Sequence, residues 1–314
     1  MAIRSRSTAS GAAIALLLLI CADNHVRAQT APPANLFAPT EDTALWDPDN
    51  PTKEFRIDLA RVEHEFPLSR ADLMKITPDN IKALSQEQVD QIYGRITAGP
   101  IPNGLYQGKL FFERGDDLRP RLEEILGGIA GRLAGANIKL AEILGGALWK
   151  GKVFNREQRV LRNMIVDTAL LEMVTGDPTT VRSITVPREG FLGHFLPGKT
   201  VKLLFPAKLY CGQSLLDARR ESVIVDYNYS DDIDGYRASP DSLAGRGGLR
   251  IRDEIRMVRP GFYLGRAYAN RFLLLNFTLY SSDVADRDGA SFAAGGAVAE
   301  DCWTGEQARG TAVR

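Results

Sequence analysis

Hydrophobic and polar positions alternate most clearly between Gly248 and Tyr280, GLRIRDEIRMVRPGFYLGRAYANRFLLLNFTLY. A period of two with aromatic and β-branched residues marks strands. The stretch predicts three of them, Ile251–Val258, Phe262–Tyr268 and Phe272–Tyr280, as a meander. Arg259-Pro260-Gly261 and Ala269-Asn270-Arg271 supply the turns. Strict alternation puts Ile251, Asp253, Ile255 and Met257 on one face of the first strand, and Arg252, Glu254, Arg256 and Val258 on the other. In the second strand Phe262, Leu264, Arg266 and Tyr268 share a face.

The same pattern predicts strands over Gly104–Glu113, Ala147–Asn155, Thr200–Phe205 and Glu221–Tyr229, and leaves Arg159–Thr175 open between helix and strand. In Gly104–Glu113, Leu105, Gln107, Lys109 and Phe111 face one way, Tyr106, Gly108, Leu110 and Phe112 the other. GLYQGKLFF and ALWKGKVFN echo one another, each with a glycine in mid-strand. Such a glycine marks a bulge or sharp coil of the kind barrel walls need.

Spacing of three and four appears instead over Leu68–Thr97. Thr77-Pro78 reads as one helix start, and Ser85 with Gln88 as a capping box before Val89, Ile92, Tyr93 and Ile96. A long inserted helix is expected over 116–145, with Gly127, Gly131 and Gly135 spaced by four as a tight packing face on a sheet. Phe55–Phe66 is too mixed to assign. Ser230–Gly247 is polar, rich in turn residues and long for a plain connection, which suggests a lid or binding loop. The resulting division is 1–28 leader, 29–99 extended segment and helical hairpin, 100–285 barrel, and 286–314 tail. The fold class is α+β, an antiparallel barrel with N-terminal helices and an inserted helix.

The leader changes the picture. Arg4 and Arg6, the apolar run Ala12–Ala22 and the ending Val26-Arg27-Ala28 have the form of a secretory signal, which places the mature start near Gln29 and the protein in the periplasm or outside the cell. Without it the formal charge is about −2, so no basic footprint for nucleic acid exists. Two cysteines then remain, Cys211 and Cys302, and an even pair in an oxidising compartment predicts a disulfide.

LWKGKVF, ESVIVDY, IRDEIRMVRPGFYLGRAY and FLLLNFTLY are similar to segments of a group of uncharacterised bacterial exported proteins. More distantly they resemble lipocalin-like barrels with a Gly-x-Trp-x-Gly signature and a later Asp-x-x-Arg-x-Val…Leu-Gly segment. Trp149, Gly151, Asp253, Arg256, Val258, Leu264 and Gly265 fill those places, while Ala147 stands where the first glycine belongs. The resemblance covers about half the mature chain. It implies a barrel and an apolar ligand, and it implies no reaction.

Candidate chemistry is sparse. His64 and His194 form no metal-type cluster, and phosphate loops and nucleophile elbows are missing from the sequence, so neither a cofactor nor a metal is expected. The unusual residues are charges within barrel strands, because an unpaired buried charge is costly. Trp149, Asp226, Asp253, Arg256, Tyr263, Arg266 and Tyr268 are therefore the expected ligand-binding set, with Phe262 as a further aromatic wall. Aromatics would hold an apolar body and Asp253, Arg256 and Arg266 would meet its polar end. Three readings follow. The chain is an exported binding protein for a lipid-like or other hydrophobic small molecule; or an enzyme acting on one through Asp226 or Asp253 with a tyrosine; or a structural envelope protein. Contact with a membrane surface and the oligomeric state are left open.

Overall fold

The computed structural model describes residues 31–39, 57–111, 149–166, 178–186 and 198–305. The expected leader cleavage site, the inserted helix over 116–145 and His194 lie outside the described residues.

Among the described residues nine antiparallel strands form one sheet: β1 (Gly104–Phe111), β2 (Trp149–Asn155), β3 (Val160–Val166), β4 (Ser183–Val186), β5 (Lys199–Gln213), β6 (Glu221–Asp226), β7 (Ile251–Arg259), β8 (Phe262–Ala269) and β9 (Phe272–Tyr280). Their order is β3-β2-β1-β9-β8-β7-β6-β5-β4, and β3 also pairs with β5. Eight strands thus close into an up-and-down barrel in chain order, with β4 lying beside the first residues of β5 as an extra strand. The expected meander is β7–β8–β9; of the open segment Arg159–Thr175, Val160–Val166 is a strand and 167–175 lie outside the described residues. The 15-residue length of β5, through Pro206, was not legible in a pattern that ended it at Phe205.

Closure creates an inner face that must be filled. Tyr106, Phe154, Leu161, Leu209, Val223, Val225, Ile255, Tyr263, Phe277 and Leu279 do so. The face assignments made for β1 and β7 hold: Tyr106 and Leu110 join the inner core, as do Ile251, Ile255 and Met257. Leu243, Ala244 and Leu249, from the long connection after β6, also pack into it. That connection is accordingly folded against the barrel, with a single helical turn, α4 (Ala238–Asp241), whose Asp241 is buried.

A second core lies outside the wall. Helices α1 (Leu59–Glu65), α2 (Arg70–Lys75) and α3 (Gln86–Gly94) precede β1. The Ser85–Gln88 capping box is present at the start of α3. Thr77 accepts from Asn80 N, but only a 3-10 turn over Asn80–Ala83 follows it, not an α-helix. Ile81, Val89, Ile92 and Tyr93 pack on Val258, Phe262 and Leu264. This cover is why β8 is buried at every position, inward and outward alike. Helix α5 (Ser282–Ala293) follows β9 in the expected tail, and the Cys211–Cys302 disulfide joins β5 to the segment after it. No helix among the described residues is long and apolar enough to cross a membrane.

Candidate functional site

A backbone irregularity in β2 creates the site. Trp149 and Lys152 are three apart, and in a regular strand they would point to opposite faces. The β2–β3 register shifts between Trp149 and Gly151, and Gly151 has φ 127°. This bulge adds one residue and turns Lys152 onto the same face as Trp149. Only glycine suits the position, since a Cβ there would stand 2.1 Å from Tyr106 O. Across the wall, the Trp149 ring passes over Gly108, where a Cβ would meet it at 2.2 Å.

Inside the barrel Lys152 is 3 % exposed. Its ammonium has three donors, and three acceptors surround it: Tyr227 OH at 2.7 Å, Asn163 Oδ1 at 2.8 Å and Asp253 Oδ2 at 2.9 Å. Trp149, Tyr227 and Phe277 present ring faces to it at 5.4–5.5 Å. Trp149 Nε1 donates to Asn163 Oδ1 at 2.9 Å, and Asn163 Nδ2 donates to Phe205 O at 2.9 Å. Phe205 is itself bent into the left-handed region, φ 49°, and its N–H donates to the buried Asp241. Tyr227 OH donates to Asp253 Oδ2 at 3.1 Å.

Burial lowers the Lys152 ammonium below its ordinary range, opposed by the neighbouring Asp253 carboxylate. Burial, and then the charge of Asp253, pushes the Tyr227 phenol well above its ordinary range, so it stays a neutral donor. Both hydrogen bonds to Asp253 end on Oδ2, and among the described residues none reaches Oδ1. The carboxylate borders a hollow of ≈ 60 Å³, walled by Leu110, Phe205, Ala244, Ile251, Leu275 and Phe277. Ordinary small-molecule pockets hold roughly 300–1,000 Å³, so this hollow takes only a small group as it stands.

The expected binding residues fall into separate places. Trp149 and Asp253 meet at the hollow. Tyr263 also points inward, but lies towards the opposite end, where its hydroxyl donates to Pro100 O. It borders a larger hollow of ≈ 330 Å³ between the barrel and α5, whose charged residues Arg156 and Arg287 are paired to Asp301 and Asp288. Arg256, Arg266 and Tyr268, with Phe262, are on the outer face beneath the helices and do not border the inner hollow. Alternation had already separated Asp253 from Arg256, and grouping them around one ligand overlooked this. Arg256 directs all its N–H groups to Ser222, Asp217, Tyr93 O and Arg220 O. Arg266 pairs with Asp90 of α3 and donates to Tyr268 OH. Asp226 also faces outward, accepting from Tyr210 OH at 2.7 Å. Lys152, Asn163 and Tyr227 were missed. The Trp-x-Gly-Lys spacing held the signal, because the bulge inferred at the glycine changes the face of every residue after it.

Cys211, Glu221 and Cys302 approach closely enough to suggest a metal site, but both sulfurs are consumed by the disulfide. Neither a protein-family model, nor a curated protein, nor a solved structure matches the chain.

Proposed function

We propose that the chain is an exported, lipocalin-like binding protein for a small, mainly apolar molecule that carries a hydrogen-bond donor. One observation carries this reading: a buried Lys152–Asp253 pair whose carboxylate has an oxygen without a partner among the described residues, set at the edge of an apolar hollow. A buried ion pair contributes little stability compared with apolar packing, and the Asp253 oxygen left over beside the hollow calls for a donor. A ligand hydroxyl or amine donating to Asp253 Oδ1 supplies one. Its apolar part would rest against Phe205, Leu275 and Phe277, and a larger body would require the lining to shift. The disulfide and the signal-like leader support export.

Native mass spectrometry of protein from its own host tests the reading. The wild type should retain a small molecule. The double variant Lys152→Met/Asp253→Leu, which removes both charges, should fold and lose it. Equal retention by both would overturn the assignment. A second reading, catalysis through Asp253 and Tyr227, rests on the neutral phenol held on the carboxylate. It predicts that the retained species is a converted form of the molecule supplied.

A further inference from the structure

A third hollow lies on the outside, at the barrel end where β7 begins and β8 turns into β9. It measures ≈ 500 Å³ and is open to solvent. Its lining is Asn228, Tyr229, Arg246, Arg250, Arg252, Asn270 and Arg271, four arginines and no acidic residue among the described ones. Two of the four are engaged. Arg246 pairs with Asp231 at 3.2 Å and lies over the Tyr229 ring, and Arg252 reaches the buried Glu254 at 3.3 Å. Arg250 and Arg271 are exposed, and neither has a side-chain partner among the described residues. The Nε of Arg252 is buried without a partner.

The backbone holds this group together. Arg250 and Asn270 both occupy the left-handed region, φ 51° and 55°, and Asn270 N donates to Arg250 O across the ends of β7 and β8. Asn tolerates that region in a hairpin turn, whereas Arg250 adopts it at a cost. The result brings Arg250 and Arg271, which are 21 apart in sequence, to one wall. Arg250 and Arg271 are held on one wall with no counter-charge of their own among the described residues, which is unfavourable, and a planar guanidinium fork fits a phosphate oxygen pair. Next to Arg271, Phe272 is 71 % exposed, and Tyr229 is 55 % exposed.

We propose that this hollow is a binding site for a phosphate group, with Arg250 and Arg271 as the primary ligands and Arg246 and Arg252 at its edge. The phosphate can be free or part of an anionic lipid headgroup. In the second case the exposed Phe272 inserts its apolar ring into the membrane interface beside the bound headgroup. The site is independent of the inner hollow, so failure of one reading does not bear on the other.

The test uses the full mature chain and two probes. Inorganic phosphate is titrated by calorimetry, and vesicles of phosphatidylcholine with or without phosphatidylglycerol are assayed by co-sedimentation. The variants are Arg250→Gln/Arg271→Gln and Phe272→Ser, each checked for unchanged thermal unfolding. Binding of phosphate that weakens at least tenfold in the arginine variant, with Phe272→Ser unchanged, identifies a free phosphate site. Sedimentation only with phosphatidylglycerol vesicles, lost in both variants, identifies a headgroup site. Absence of binding to both probes, or equal binding by wild type and arginine variant, overturns the proposal.

Discussion

Strand β7 carries charge onto both faces of the barrel wall, and the two faces handle it differently. Arg256 points outward and is fully buried beneath α3. Its five N–H donors all find oxygens, two of them on Asp217, and its plane lies 4.7 Å from the Tyr93 ring. Asp253 points inward and is buried almost as deeply, yet both its contacts among the described residues end on one oxygen, and the residue borders a hollow. Burial of charge is therefore a poor guide to function by itself. The useful distinction is between a buried charge whose hydrogen-bonding capacity is exhausted and one with capacity left beside empty space.

The sharpest way to break this comparison is to truncate the saturated charge. Arg256→Met should destabilise the fold by about 3–5 kcal/mol, because Asp217 would then be left in a buried site with a partner missing. Urea unfolding measures it, and an effect under 1 kcal/mol would remove the claim that the outer cluster is structural. The inner pair should behave otherwise. Lys152→Met/Asp253→Leu should change stability by less than about 1–2 kcal/mol in either direction, since replacing both members with apolar side chains leaves no orphan charge. If the double variant were as damaged as Arg256→Met, the two faces would not differ.

Gly151→Ala probes the bulge that delivers Lys152 to the interior. A side chain at φ 127°, against Tyr106 O, should cost about 1–3 kcal/mol. It should also lower retention of the interior molecule in the folded fraction, whereas Gly289→Ala, with open space at its Cβ, should leave retention unchanged.

The smallest effect expected is on pH dependence. Burial would raise the Asp217 carboxyl, but hydrogen bonds from Arg219 and then the charge and hydrogen bonds of Arg256 outweigh it and hold it below 3.8. A carboxylate depressed in the fold contributes stability above its unfolded pKa, and that contribution is lost as pH falls through the folded value. Wild-type stability should thus decline on acidification below pH 3.8, and Asp217→Asn should show a shallower decline there, read from urea midpoints at each pH.

Much of the architecture was legible because period-two alternation is a local property. It located seven strands, assigned the faces of β1 and β7, and placed Asp253 inward opposite Arg256. The Ser85–Gln88 cap is likewise local, since its two hydrogen bonds span three residues. The even cysteine pair pointed to the disulfide that joins β5 to the tail. Helix α5 was missed: unlike α3 it has no side-chain cap at its start, Ser281, and its stretch is rich in Gly, Ala and Asp.

What alternation could not decide is what covers each face. Phe262, Leu264, Arg266 and Tyr268 share a side as expected, but whether that side lines the interior depends on α3 packing against it from outside. The same holds for Lys152: sequence marked a bulge at Gly151, and only the closed barrel brought Asn163 of β3, Tyr227 after β6 and Asp253 of β7 to its ammonium. Local propensity sets which residues alternate and where the chain turns, because those depend on neighbours a few residues away. Which charges are saturated, and which border a hollow, depends on partners from distant strands and is fixed only when the sheet closes.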